Sequence, residues 1–183
     1  GKFVNTRGMS ALKITENKEA NDLLKILGIQ IGTVYTEELA KKLPYAHLMV
    51  LSDQDVDGHH IAGLLCNFVH VVAPTLLRVR PNYVVRFATS LIRVRPPHSK
   101  MEVGFYSQQE YEKYAAEQEQ LGKNVGTVKY FKGLGTSDAA MAKQYFSEMD
   151  KNCTTIARVD DACDNAMDMF FNEHRAEDRR NFL

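Results

Sequence analysis

Residues 47–65 read HLMVLSDQDVDGHHIAGLL, which combines a short apolar run, an acidic turn and the first turns of a helical pattern. The run 47–51 predicts a buried strand, because it is short, continuously apolar and ends at turn residues. Apolar residues then recur at helical spacing and predict a helix that stops at Pro74; they are Ile61, Leu64, Leu65, Phe68, Val69 and Val72. A strand, a turn and a helix in this order make one half of an α/β unit.

The rest of the chain continues this alternation. Further strands are predicted at 91–94, 103–106 and 127–131, and Ser107 with Glu110 makes a capping box for a helix that runs to about residue 121. The segment after Asn152 is expected to be mostly helical. We therefore predict an α/β fold with a largely parallel sheet flanked by helices, a domain over 1–150 and a C-terminal helical segment over 151–183.

Composition limits the classes of function. Lys plus Arg and Asp plus Glu both number 23 among 183 residues, so the formal net charge is zero. A free-standing nucleic-acid binder is usually basic, so any DNA contact must come from a local patch or from parts of a longer protein. The three cysteines have no C-x-x-C spacing, which argues against a zinc site or a disulfide framework. No stretch is apolar for long enough to predict a membrane span, and no signal peptide is visible.

The acidic turn is the candidate site. Asp53, Asp55 and Asp57 alternate directly after the predicted strand, and alternate residues of an extended chain point the same way. Asp53 and Asp55 are therefore expected to project together beyond the strand's carboxyl end, where ligands bind in open α/β sheets. Clustered carboxylates repel each other and favour a bound cation, and all-oxygen ligands favour Mg²⁺ or Mn²⁺.

The acidic turn has three other interpretations. A solvated acidic turn remains open, because Asp and Gly are common turn residues. A calcium EF-hand loop is excluded, because Leu64 stands where that loop needs a Glu. A phosphatase of the haloacid-dehalogenase type also remains open. Asp53 would then be the nucleophile and Asp55 the acid/base, with Lys132 and the pair 160–161 as supporting groups.

A basic stretch begins after the predicted helix and extends through the strand predicted at 91–94. It is either a solvated surface or a face for DNA or a partner; its members are Arg78, Arg80, Arg86, Arg93 and Arg95.

Four ordered stretches resemble the type IIA DNA topoisomerases, in the eukaryotic form. The run 48–61 is similar to the signature of their toprim domain, and 1–5 is similar to the end of their Leu-Arg-Gly-Lys-x-x-Asn segment. The run YFKGLGTS at 130–137 resembles their Tyr-Lys-Gly-Leu-Gly-Thr block. Residues 175–183 resemble the charged helix that precedes their winged-helix domain.

The resemblance implies a role for each matching residue. Asp53, Asp55 and Asp57 would be the Mg²⁺ ligands, with Mn²⁺ or Ca²⁺ as substitutes. Four residues would contact DNA: Lys2, Asn5, Lys132 and Gly133. His59 and His60 are candidates to support the metal ligands because they adjoin the acidic turn, and not because of the resemblance. His59 stands where the family usually has Ser or Thr, which leaves the contacts behind the metal ligands in doubt.

The resemblance also implies what the whole enzyme does. It would be a nuclear, ATP-dependent homodimer that cuts and rejoins double-stranded DNA, with a mitochondrion or a viral factory as other locations. The catalytic Tyr, Arg and Glu, the ATPase and the winged-helix domain would lie outside these residues. The chain is thus expected to be an internal piece, inactive by itself, with no membrane contact.

Overall fold

The computed structural model describes residues 1–99, 101–131, 139–147, 149–156 and 160–182. By its contacts the chain forms two compact units. The first contains Gly1–Val50, His60–Arg86 and Thr154–Leu183, and the second contains Leu51–His59 and Phe87–Cys153. The predicted domain boundary near residue 150 stays a prediction.

The first part of the chain follows the sequence pattern closely. Its elements are α1 (Ala11–Glu16), α2 (Lys18–Leu27), α3 (Glu37–Lys41), β1 (Leu48–Leu51), α4 (Val56–Val72), α5 (Pro74–Val79) and β2 (Val84–Phe87). The predicted strand before the acidic turn and the predicted helix after it are confirmed as β1 and α4. Gly28 is the C-cap that follows helix α2. Its φ of 67° lies in the left-handed region, which glycine adopts without strain.

The later elements are β3 (Ile92–Arg95), β4 (Val103–Phe105), α6 (Gln108–Gln120), β5 (Thr127–Tyr130), α7 (Ala139–Ser147), α8 (Met149–Asn152), β6 (Cys153–Thr155), α9 (Asp161–Phe171) and α10 (Ala176–Phe182). A short 3₁₀ helix at Glu173–Arg175 precedes α10. Ser107 caps α6 as predicted, because its Oγ accepts from the Glu110 N–H at 3.2 Å. The Glu110 carboxylate accepts from the Tyr106 N–H at 2.8 Å, one residue before the N–H that a capping box uses. The prediction that the segment after Asn152 is mostly helical is confirmed, except that Cys153–Thr155 form strand β6.

Two three-stranded sheets are present in the described residues, with the orders β1-β2-β6 and β4-β3-β5. The expectation of a largely parallel sheet is wrong for the second of them, where β3 pairs antiparallel with both β4 and β5. The connection from β3 to β4 explains the antiparallel pairing of those two strands. It is a short loop, and parallel neighbours need a crossover of a dozen or more residues.

Each unit has its own apolar core. In the first unit, residues from α1, α2, α4, α5 and β2 pack together, and Phe68, Val69, Val72, Leu76, Leu77 and Val84 are fully buried. In the second unit, Ile92, Val94 and Phe105 form a smaller cluster with Tyr111 and Tyr114 against them. In the part of the chain that the structure describes, no helix is long and apolar enough to cross a bilayer.

Candidate metal site in the acidic turn

The acidic turn joins the end of β1 to the start of α4. Asp53 is half-buried, and Asp55 and Asp57 are exposed. Strand β1 ends at Leu51 and helix α4 begins at Val56, so Asp53 and Asp55 lie between the two elements. The prediction that their side chains project together assumed the alternation of a strand, and neither residue is in the strand. That prediction therefore stays a prediction. Their position beyond the carboxyl end of a strand is as expected.

Asp55 begins the helix. Its Oδ1 accepts a hydrogen bond from the Gly58 N–H at 2.8 Å, and its carbonyl oxygen accepts from the His59 N–H at 3.1 Å. These are the contacts of a helix N-cap residue, and Asp is among the residues favoured there. One carboxylate oxygen is thus used in the fold, and Oδ2 is left to bind a ligand.

The helix N-terminus also lowers the cost of gathering carboxylates. Helix α4 has 17 residues, and Asp57 lies in its first turn. The partial positive charge of the exposed N–H groups at a helix start stabilises nearby anions. Part of the repulsion among the three carboxylates is therefore offset by the protein itself.

Gly58 and Ser52 hold the turn closed. A Cβ at position 58 would lie 1.9 Å from the carbonyl oxygen of Asp53, so only glycine lets the helix start approach the turn this closely. Ser52 Oγ donates to the Gly58 carbonyl at 3.0 Å, and both residues are buried. The sequence analysis missed the role of Ser52, because its hydrogen-bond partner is set by the fold of the turn.

His59 contacts the turn directly. Its Nδ1 lies 2.7 Å from the Asp55 carbonyl oxygen, which makes this nitrogen the donor. His59 thus supports the backbone of the metal turn. His60, the second predicted supporting residue, is exposed at the next position of the helix.

The donor set suits a hard cation, but the described residues do not complete a metal site. Asp53 and the free oxygen of Asp55 are carboxylate donors of the kind that Mg²⁺ prefers. Within the ranges described above, no group of three or more His, Cys, Asp or Glu side chains could hold a metal ion. The remaining ligands of a bound ion would be water, phosphate or groups outside the ranges that the structure describes.

Asn5, a predicted DNA contact, is engaged inside the protein. Its Nδ2 donates to the Phe171 carbonyl at 2.8 Å, and its Oδ1 accepts from the Arg7 N–H and from Asn67 Nδ2, both at 3.1 Å. Both lone pairs of the amide oxygen are therefore used, and one amide N–H is left for an outside acceptor. Lys2 is exposed, and Lys132 and Gly133 lie outside the described residues.

His70 is the centre of a partly buried polar network in the first unit. Arg7 Nη2 lies 3.0 Å from His70 Nδ1, and an arginine can only donate, so Nδ1 accepts. His70 Nε2 then donates to Asp164 Oδ1 at 2.7 Å. The network stabilises the ionised carboxylate of Asp164. The hydrogen bond from His70 and the positive charge of Arg78 hold the pKa of that carboxyl below its usual value.

The comparisons with known proteins agree with the resemblance. A family model described as the C-terminal associated domain of TOPRIM matches residues 87–183. The chain belongs to this family, which is found in the type IIA DNA topoisomerases. It is 40% identical over 182 residues to DNA topoisomerase 2 of Pisum sativum and 38% identical over 184 residues to that of Arabidopsis thaliana.

The matches cover nearly all of this chain but a small part of each relative. The alignments take in 98% and 100% of the chain and 12% of each plant protein. A crystal structure of the Plasmodium falciparum topoisomerase II DNA-binding, cleavage and re-ligation domain matches with a TM-score of 0.83 at 33% identity, over 98% of this chain and 24% of that one. The family assignment lends no support to the phosphatase alternative.

Proposed function

We propose that this chain is the segment of an ATP-dependent type II DNA topoisomerase that holds Mg²⁺ beside the DNA during strand cleavage and religation. The observation that carries the proposal is the acidic turn after β1. It presents Asp53 and Asp55 at a strand end and a helix start, in a chain that is similar along its whole length to DNA topoisomerase 2.

Each residue of the turn has a distinct task in this proposal. Asp53 and the Oδ2 of Asp55 bind the ion, and Asp57 at the helix start adds negative charge near it. Gly58 and His59 fix the backbone of the turn through the contacts described above. A bound Mg²⁺ supplies electrostatic stabilisation of the oxygen that leaves when a phosphodiester is cut.

The proposal assigns DNA contacts to four residues, two that precede the acidic turn in the sequence and two that follow it. Lys2, Lys132 and Gly133 approach the DNA backbone, where a cation and backbone amides suit phosphate oxygens. Asn5 contributes the one amide N–H that its internal hydrogen bonds leave. The chemistry at the scissile bond would need the Tyr, Arg and Glu of other segments.

The remaining parts of the proposal concern the whole enzyme. It acts on double-stranded DNA as a nuclear homodimer, with an ATPase in another domain. Residues 1–150 form the toprim domain, and 151–183 lead to a winged-helix domain. The winged-helix neighbour and the ATPase rest on the family resemblance.

The test uses single substitutions in the full-length enzyme that contains this segment. Asp53→Ala and Asp55→Asn are expected to abolish Mg²⁺-dependent cleavage of supercoiled plasmid while DNA binding is retained. Asn preserves the helix cap, so the second variant separates metal binding from folding. Glu112→Gln, an exposed change of the same charge on α6, is the matched control and should cleave like the unmodified enzyme.

Two outcomes would overturn the proposal. Full Mg²⁺-dependent cleavage by the Asp53→Ala enzyme would show that the acidic turn is not required for DNA cleavage. Hydrolysis of a phosphomonoester by the chain, through a phosphorylated Asp53, would favour the phosphatase alternative.

A further inference from the structure

A cavity of about 430 Å³ lies in the second unit, over the β4-β3-β5 sheet and α7. Cationic, acidic and apolar side chains line it together, among them Arg93, Arg95, Lys129, Glu102, Met101 and Phe131. The cavity is separate from the acidic turn, and its cations come from strands β3 and β5. Its volume is in the range of sites that enclose small organic ligands.

The strand register concentrates positive charge in this cavity. Arg93 on β3 lies directly across from Lys129 on β5, and Arg95 follows Arg93 on the same face. Like charges directly opposite each other in a sheet are destabilising. The repulsion between the two cations favours an anion placed between them.

Glu102 offsets only part of the charge. Its carboxylate lies 2.6 Å from Arg95 Nη2, 3.6 Å from Arg93 Nη1 and 3.8 Å from Lys129 Nζ. Among the residues that the structure describes, this carboxylate thus serves three cations, and their excess of positive charge suits an anionic ligand. Arg95 and Lys129 are about half exposed, so their head groups can turn toward such a ligand.

Arg93 is held in place before any ligand arrives. It is 5% exposed, and its Nε donates to Ser90 Oγ at 3.1 Å while Nη1 donates to Gln144 Oε1 at 3.2 Å. Its guanidinium also lies over the Tyr145 ring, 4.8 Å from the centroid. Among the described residues, its Nη2 group makes no hydrogen bond. A fixed arginine loses little side-chain entropy on binding, and its fork of donors matches phosphate oxygens.

We propose that this cavity binds a nucleoside phosphate unit. The phosphate contacts Arg93, Arg95 and Lys129, and the base packs against Met101 and Phe131. The volume supports this, because it exceeds what a phosphate ion alone would fill, and the apolar lining suits a planar base. The unit is either a free nucleotide or one nucleotide of a DNA strand whose base is unstacked.

Titration of the chain in the presence of EDTA tests this site without any contribution from a metal ion. The probes are dAMP, deoxyadenosine, and a short oligodeoxynucleotide that lacks a terminal phosphate, and the readout is NMR shifts of the Arg93 Nε–H and the β3 and β5 amides. We expect dAMP or the oligonucleotide to shift these signals and deoxyadenosine to bind roughly tenfold or more weakly, because it lacks the charge-assisted contacts. The tighter of the two phosphate probes identifies the source of the ligand.

The variants separate a built site from general charge attraction. Arg95→Gln with Lys129→Gln should weaken binding of the phosphate probes roughly tenfold or more. Lys113→Gln with Lys123→Gln, an exposed pair in the same unit, removes the same charge and should leave binding within about twofold. Arg93 itself is left unchanged, because its burial would make a substitution affect folding.

Three results would overturn the inference. These are equal binding of dAMP and deoxyadenosine, equal losses in the two double variants, and no shift of the Arg93 signal by either phosphate probe up to about 10 mM. None of these results bears on the acidic turn, whose test is DNA cleavage.

Discussion

Gly58→Ala tests whether the acidic turn is held by backbone packing. The new Cβ would lie 1.9 Å from the Asp53 carbonyl oxygen and 2.8 Å from its carbonyl carbon. Carbon–oxygen contacts are normally about 3.3 Å or longer, so the turn or the helix start must move by roughly 1.4 Å. Both groups are backbone, so no side-chain rotation relieves the contact.

The magnitude follows from two opposing effects. Overpacking of this severity costs about 3 kcal/mol, and alanine in a helix gains up to about 1 kcal/mol over glycine. The free energy of unfolding should therefore fall by roughly 2 kcal/mol, which lowers the urea midpoint by about 1 M for a chain of this size. Urea titration followed by far-UV circular dichroism measures the change.

Gly63→Ala in the same helix is the matched control. Its Cβ would lie 3.1 Å from Cζ of Phe171, a side-chain atom that can give way, so its stability should stay within about 1 kcal/mol of the unmodified chain. The reasoning is refuted if Gly58→Ala unfolds at the same urea concentration as the unmodified chain, or if Gly63→Ala is the less stable of the two.

Three further outcomes can be measured on the same chain. Asp55→Ala should lose about 1 kcal/mol of stability through the missing helix cap, and Asp55→Asn should lose little; equal losses in urea titrations would contradict the cap. The pKa of Asp164 is lowered by the His70 hydrogen bond, so its contribution to stability is present above the unfolded pKa of about 4 and is lost as the pH falls through the lower folded value. Asp164→Asn should therefore be less stable at pH 7 and lose less stability in acid, as thermal melts across this range would show. Burial raises the pKa of Cys66 to about 11, so a thiol reagent at pH 8 should modify it only after unfolding; rapid native-state labelling, read by mass spectrometry of its peptide, would argue against the buried position.

The sequence alone was sufficient for the local elements around the site. The apolar run before Asp53 and the helical stripe after Gly58 predicted β1 and α4, because burial of one face imposes a period that is visible in the sequence. The family resemblance also came from the sequence, since its motifs are contiguous. Strands β2 and β6 were missed, because short strands carry little periodic signal and are defined by their partners.

Only the tertiary structure decided which side chains meet. The antiparallel pairing of β3 sets Arg93 opposite Lys129, and no property of either segment predicts that register. The fold also turns Asp55 into a helix cap and engages Asn5 with Phe171, which lies 166 residues away in the chain. A hydrogen bond between distant segments depends on how the chain packs, so its partner cannot be read from local composition.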